Sequence, residues 1–256
     1  MFEFQTNLIF PVDAVPAAGP LPRGADKLSV ETPDGHTLAG VYIPADDEDV
    51  SRTLVLGFGG NAWNGQDVAE YLHELFPEHE VVAFHYRGYP PSTGEPSGDA
   101  LISDAPLVYD ATIARFRPAR VIAVGFSIGT GVAAQLASRR ELDGLILVTP
   151  FDSLRAVAQS MYPWLPIGAF FSHEIDAAGP LEECQVPVAI LAAERDEVVP
   201  AERTRELRKR VPNLVFDRTV AGSGHNDIYA RSEFHDAMRE ALGALIDGQV
   251  ATDDGT

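Results

Sequence analysis

Cysteine is almost absent from this 256-residue sequence, which contains Cys184 alone. A single cysteine excludes a disulfide bond within the chain and a zinc site built from several cysteines. A chain without disulfides fits a reducing compartment, so we expect a cytoplasmic protein. Long apolar runs are also missing, because none approaches the roughly 20 residues that a membrane-spanning helix needs. The N-terminal stretch lacks basic residues and contains Pro11 and Pro16, which argues against a secretory signal.

Lysine is equally scarce, with Lys27 and Lys209 the only examples in a chain of net charge -19. Phosphate groups are bound by clustered lysine and arginine, so this charge argues against a general affinity for nucleic acid or anionic membranes. The composition, 45% hydrophobic and 22% charged, is that of a globular protein. Because the chain has neither an internal repeat nor a low-complexity linker, we predict one domain over residues 1–256.

Strand-like and helix-like segments alternate along most of the chain. After an irregular, proline-rich start, Pro33, Asp34 and Gly35 mark a hairpin between two strands. Short apolar runs typical of buried strands, each followed by a helical pattern, then recur to the C-terminal helix. This order predicts the α/β class, with a mostly parallel sheet of about eight strands and helices on both faces. The longest connection, 149–187, should hold one core helix and a short lid at about 153–182.

One turn in this pattern carries a candidate nucleophile. The segment VIAVGFSIGTGVAAQLA combines an apolar strand, the pattern Gly125-Phe126-Ser127-Ile128-Gly129 and a helix of small residues. A G-x-S-x-G turn between a strand and a helix strains the serine backbone so that the hydroxyl projects, which requires small neighbours two positions away. We therefore predict Ser127 to be a nucleophile. The alternative is a tight turn that only lets the helix pack closely on the sheet.

A serine nucleophile needs a base and an acid that orients the base. Reactive groups gather at the carboxyl ends of parallel strands, and His225 lies in a glycine-rich turn after the last predicted strand. The other six histidines lack this position. For the acid we choose Asp196, after the preceding strand, although Asp152 occupies the equivalent place one strand earlier. Glu194 and Glu197, which flank Asp196, are expected to face solvent.

Two backbone N–H groups should complete the site as donors to an oxyanion. One is that of Ile128, directly after the nucleophile; for the other we choose Asn61, with Gly60 second, in the loop after the strand TLVLGF. No metal ion or organic cofactor is expected. Four aromatic residues could form an acyl-binding wall or could equally be ordinary core or lid packing: Trp63, Trp164, Phe170 and Phe171.

Taken together, the motifs GGNA, YRGYPPSTGEPS, GFSIGTG, TPFDSL, ERDEVVP and GSGHND resemble those of the α/β-hydrolase superfamily. The resemblance is to small-lid serine hydrolases whose oxyanion loop reads H-G-N-A, and it covers nearly the whole chain. It implies Ser127, Asp196 and His225 as the triad, and Asn61 with Ile128 as oxyanion donors. Three positions depart from the family pattern: Gly59 replaces histidine, His85 replaces aspartate and Pro90 replaces glycine.

The expected reaction is hydrolysis of a carboxylic ester of a small or medium acyl group through an acyl-enzyme. Thioester hydrolysis is the close alternative, and a non-catalytic hydrolase-fold binding protein is the alternative of another class. The expected partner is a small-molecule acyl ester or thioester. The chain is expected to be a monomer or a homodimer.

Overall fold

A computed structural model of the chain describes residues 2–47, 52–161 and 171–253. Its eight strands are β1 (Asp26–Glu31), β2 (Thr37–Ile43), β3 (Thr53–Phe58), β4 (Glu80–Phe84), β5 (Arg120–Phe126), β6 (Gly144–Val148), β7 (Val188–Ala193) and β8 (Leu214–Val220). Its helices are α1 (Phe2–Ile9), α2 (Gly65–Leu75), α3 (Gly98–Phe116), α4 (Ile128–Ala137), α5 (Leu154–Met161), α6 (Ala178–Glu182), α7 (Ala201–Arg208) and α8 (Ser232–Asp253). Short 3-10 turns lie at Val12–Ala14 and Ile228–Ala230.

The strands form one sheet in the order β1-β2-β4-β3-β5-β6-β7-β8. The β1–β2 and β2–β4 pairs are antiparallel, and the remaining pairs are parallel. After β3 the chain first adds β4 on one side and then β5 on the other. The loops that follow β3 and β5 therefore diverge, which opens a crevice at the carboxyl ends of the strands. The predicted α/β-hydrolase fold with a mostly parallel sheet is confirmed.

Each face of the sheet is covered by a separate apolar core. Residues of α3, α4, α6 and α7 form one core, while residues of α2 and α8 form the other. Within β5, Ala123 faces the first core, and Ile122 and Val124 face the second. A strand covered on both sides buries every side chain, which explains the continuous apolar runs in the sequence. Ser127 is thus presented from the centre of a rigid sheet.

The N-terminal segment differs from the sequence-based expectation of an irregular start. It forms α1, and the adjoining Phe10 is buried with 1% of its surface exposed. Pro11 follows Phe10. Because proline has no N–H to donate and a fixed φ, the helix ends before it. A helix of eight residues is marginal in isolation, so its tertiary contacts stabilise it.

The connection between β6 and β7 contains α5 and α6, joined near their ends by an antiparallel bridge between Ser153 and Asp176. Val157 of α5 packs with Phe151 and Val199 in a small apolar cluster. The lid predicted at about 153–182 includes this segment, and residues 162–170 lie outside the described part of the chain. Among the described helices, none is long and apolar enough to cross a membrane.

Candidate active site

Ser127 occupies a strained turn between β5 and α4. Its φ of 49° and ψ of -115° lie in a region that non-glycine residues rarely adopt. The Ser127 N–H donates to the Val148 carbonyl at 2.9 Å, and the Ser127 carbonyl accepts from the Thr130 N–H at 2.9 Å and the Thr130 hydroxyl at 2.6 Å. These backbone contacts hold the turn and leave the Ser127 hydroxyl available for other partners.

Gly125 and Gly129 flank the serine because the surrounding backbone leaves no room for a side chain. A Cβ at Gly125 would overlap the Gly129 carbonyl, and one at Gly129 would overlap the Phe58 carbonyl at the end of β3. At Gly129, therefore, α4 packs directly against the backbone at the end of β3. Close packing and presentation of Ser127 thus depend on the same two glycines.

We expect Gly129→Ala to destabilise the protein by more than about 2 kcal/mol, because the added methyl must displace backbone and not a flexible side chain. Gly243→Ala on α8 is the matched control, since nothing lies within 4 Å of its Cβ position. That change should be neutral or stabilise by up to about 1 kcal/mol through helix propensity. Urea unfolding monitored by circular dichroism measures both values. Equal stability of the two variants would contradict the packing argument.

A chain of hydrogen bonds links Ser127 to residues from the loops after β7 and β8. Nδ1 of His225 lies 3.0 and 2.8 Å from the two carboxylate oxygens of Asp196, and Nε2 lies 2.9 Å from the Ser127 hydroxyl. The side chains of His225 and Asp196 are only 7% and 5% exposed. A neutral imidazole that donates from Nδ1 to Asp196 can accept the Ser127 proton at Nε2. The structure therefore brings together all three residues predicted for the triad.

Asp152, the alternative acid, contacts a different partner. Its carboxylate accepts from Arg203 at 3.0 Å and from the Ser153 N–H at 2.9 Å. Burial raises the pKa of Asp152, while the nearby Arg203 charge opposes that rise. Since Asp196 and not Asp152 binds the His225 ring, the geometry favours Asp196 as the orienting acid.

The loop that carries His225 is bound to the loop that carries Asp196. Glu197 accepts the His225 N–H at 3.0 Å, and Glu194 accepts the Gly222 N–H at 2.7 Å. Both glutamates are exposed, as expected from the sequence, yet each binds the neighbouring loop. Asp196 in turn accepts the N–H groups of Val198 and Val199 at 2.9 and 2.7 Å. These contacts set the position of His225 before any substrate binds.

The loop after β3 lies against the serine turn. A Cβ built at Gly60 would lie 3.9 Å from the Cβ of Ser127, so the Gly60 backbone lies beside the serine. The Tyr86 hydroxyl donates to the Gly59 carbonyl at 2.8 Å, and that of Tyr89 donates to the Asn61 carbonyl at 2.5 Å. The segment after β4 therefore supports the loop that carries Asn61, one of the two predicted oxyanion donors.

Two of the departures from the family pattern have a clear local setting. His85 is buried, and its Nδ1 accepts the Gly65 N–H at 3.3 Å at the start of α2. Burial lowers the pKa of His85 to about 4, so its ring is neutral at pH 7. At Gly59, a Cβ would lie 2.8 Å from a methyl group of Val68. The close packing of α2 on this loop thus suits glycine better than a large side chain.

A cavity of about 550 Å³ opens beside Ser127 and His225. Of the predicted aromatic wall, Trp63 and Phe171 line it, while Trp164 and Phe170 lie outside the described residues. Trp63 also packs on Phe126, with ring centroids 5.2 Å apart, so it serves both the core and the cavity. Other lining residues are mainly apolar: Leu8, Ile9, Tyr71, Phe151, Leu154, Val157, Ala158, Met161, Val198, Val199 and Tyr229.

Comparison with known proteins agrees with the fold. The family described as having the alpha/beta hydrolase fold matches residues 54–167. An uncharacterized protein of Mycobacterium tuberculosis is 33% identical over 234 residues, which cover 87% of this chain and 81% of that protein. The chain belongs to the alpha/beta hydrolase superfamily.

Two further proteins resemble this alpha/beta hydrolase. Lysophosphatidylserine lipase ABHD12 of Xenopus tropicalis is 32% identical over 224 residues, covering 75% of this chain but only 58% of that lipase. The esterase Pf2001 of Pyrococcus furiosus superposes with a TM-score of 0.73 over 91% of this chain and 95% of that one, at 21% identity. The second likeness shows the shared fold. Membership of this superfamily and the lipase relative support hydrolase activity for this chain.

Several residues of the hydrolase cavity were not predicted from the sequence. Leu8 and Ile9 belong to α1, which has only eight residues, so its apolar spacing before Pro11 is a weak helix signal. Tyr71 and Tyr229 belong to an aromatic cluster around Trp63, with centroid distances of 5.4 and 5.5 Å. Burial raises the pKa of Tyr229 to about 12, so this phenol is neutral at pH 7. No short sequence motif marks these positions, because they face the cavity from separate elements.

Proposed function

We propose that this hydrolase cleaves a carboxylic ester of a small or medium acyl group through an acyl-enzyme on Ser127. The observation that carries the proposal is the hydrogen-bond chain from the Ser127 hydroxyl through His225 to Asp196, with N–O distances of 2.8 to 3.0 Å. Three polar side chains in this order on a strained strand-to-helix turn suit nucleophilic catalysis. A packing turn alone would not require the two loops to meet at the serine.

In the proposed reaction, Oγ of Ser127 attacks the ester carbonyl carbon while Nε2 of His225 takes the hydroxyl proton. Asp196 holds the imidazole in the required tautomer and stabilises its positive charge. The tetrahedral intermediate expels the alcohol, which receives the proton from His225. Water then attacks the acyl-enzyme, again with His225 as base, and releases the acid and the free serine.

The negative oxygen of the intermediate would be bound by the N–H groups of Ile128 and Asn61. Ile128 is the first residue of α4, so its N–H has no acceptor within the helix. The helix dipole adds positive potential at this end. The Tyr86 and Tyr89 hydroxyls would keep the Asn61 loop in place, because they bind its carbonyl groups and leave its N–H groups to the substrate.

The cavity supports an acyl group as the part of the substrate that is bound. Its volume of about 550 Å³ lies within the range of small-molecule sites, and aliphatic and aromatic side chains dominate its lining. The Xenopus relative, named as a lipase of lysophosphatidylserine, also acts on an ester.

We further propose one domain over residues 1–256 with a lid at about 153–182, a cytoplasmic location and a monomer or homodimer.

A fluorophosphonate probe tests the nucleophile directly, since Ser127 would displace fluoride from phosphorus and remain labelled. We expect mass spectrometry of the folded protein to place the label on Ser127, and urea-unfolded protein to remain unlabelled. Parallel assays with p-nitrophenyl octanoate and octanoyl-CoA then compare ester with thioester cleavage. Faster turnover of the thioester would favour a thioesterase. Absence of both label and turnover would instead favour a non-catalytic binding protein.

A further inference from the structure

Helix α1 ends at the cavity that contains Ser127. Leu8 and Ile9, at the end of this helix, line the cavity, as does Met161 at the end of α5. Leu8 is 52% exposed and Met161 is 42% exposed, which is unusual for large apolar side chains in this chain. Exposed apolar residues grouped at a cavity are typical of a binding site.

Several contacts fix α1 relative to the segment that follows residue 170. The Thr6 hydroxyl lies 2.9 Å from Nε2 of His173, and the Phe10 ring meets the His173 ring edge-on at a centroid distance of 5.3 Å. Gln5 accepts from the N–H and hydroxyl of Ser172 at 3.4 and 3.3 Å. Since Phe10 and His173 are each 1% exposed, the end of α1 is held from the interior.

The chain beyond α1 is bound to α2 as well. The Asn64 side chain donates to the Pro16 carbonyl at 3.1 Å, and that of Gln66 donates to the Gly19 carbonyl at 3.1 Å. Leu8 and Ile9 thus lie between two anchored stretches. Their side chains have a defined position in the cavity, which a loosely attached N-terminal helix would not provide.

We infer that α1 forms a wall of the acyl-binding cavity and that Leu8 and Ile9 limit the acyl length it accepts. The inference rests on the proposed ester hydrolysis at Ser127. A larger side chain at either position would occupy part of the 550 Å³ and reduce the volume left for a long acyl chain. A short acyl chain needs only the volume next to Ser127. The ratio of long-chain to short-chain turnover therefore measures how far Leu8 and Ile9 limit acyl length.

The test compares Leu8→Trp and Ile9→Trp with Asn7→Trp, an exposed residue of the same helix that is not among the cavity residues. The readout is kcat/KM for p-nitrophenyl dodecanoate divided by that for p-nitrophenyl acetate. We expect the ratio to fall about tenfold or more in the first two variants, because the indole ring takes volume that a long acyl chain needs. Asn7→Trp should keep the wild-type ratio. Leu8 is half exposed, so Leu8→Trp tests the wall even if Ile9→Trp unfolds.

Binding of decanoate, measured by calorimetry, gives a second readout that requires no catalysis. We expect affinity to fall about tenfold in Leu8→Trp and to stay unchanged in Asn7→Trp. An unchanged ratio together with unchanged decanoate affinity would overturn the role of α1 and leave ester hydrolysis intact. If the wild type cleaves no ester, the proposed function is wrong. The role of α1 is then tested only by the decanoate affinities of Leu8→Trp and Asn7→Trp. A wild type that neither cleaves esters nor binds decanoate would overturn both.

Discussion

Replacing Ser127 with alanine should lower kcat for p-nitrophenyl octanoate by roughly 10⁵- to 10⁶-fold, as expected when a triad nucleophile is lost. The variant retains the turn, because the contacts that hold it involve the Ser127 N–H and carbonyl and not the hydroxyl. His225 keeps its bonds to Asp196 and Glu197. Stopped-flow or long-time spectrophotometric assays of released p-nitrophenolate measure the loss.

Ser138→Ala is the matched control, since this exposed serine follows α4 and its hydroxyl donates to the carbonyl of Gln135 at 3.0 Å. It should retain full turnover, and thermal unfolding of both variants should match the wild type within about 0.5 kcal/mol, as for other changes that remove no packed group. A Ser127→Ala variant with unchanged turnover would show that esters are cleaved elsewhere. The proposed nucleophile would then be wrong.

The centre of the sheet was predictable because strands such as β3, β6 and β7 are buried on both faces. The sequences of β3 and β5 are nearly continuous apolar runs, whereas a strand with one exposed face alternates apolar and polar residues. Glycine-rich turns mark the ends of both runs. The constraints on Ser127 are also local, since Gly125 and Gly129 lie within the same pentapeptide. His225 and Asp196 could be chosen because parallel strands bring their carboxyl ends to one edge, so chain order translates into spatial proximity.

The cavity was less predictable because its wall combines elements that are distant in sequence. Leu8 lies on a helix too short for periodicity to be decisive, and its place depends on the buried contact between Phe10 and His173. Trp63 could be named as a candidate, but not its contact with Tyr229, which comes from the loop after β8. The sequence favoured Asp196 over Asp152, but it could not show that Asp196 contacts the His225 ring while Asp152 binds Arg203.

Asp196→Asn should lower kcat by roughly 10⁴-fold, because an amide cannot hold the His225 ring in the tautomer that accepts the serine proton. The substitution preserves side-chain size, and its oxygen can still accept from the N–H groups of Val198 and Val199. We therefore expect normal folding with lost turnover. The measurement is steady-state hydrolysis of p-nitrophenyl octanoate beside urea unfolding.

Asp152→Asn provides the converse pattern, since this carboxylate binds Arg203 at 3.0 Å and is not bonded to His225. Its loss leaves a half-buried guanidinium with a weaker partner, so unfolding free energy should fall by about 1 to 3 kcal/mol. Turnover should remain near that of the wild type, because the hydrogen-bond chain to Ser127 is unaltered. Retained activity in Asp196→Asn with loss in Asp152→Asn would move the acid to the loop after β6. If Asp196→Asn lowers only turnover and Asp152→Asn lowers only stability, then Asp196 orients His225 and Asp152 binds α7 through Arg203.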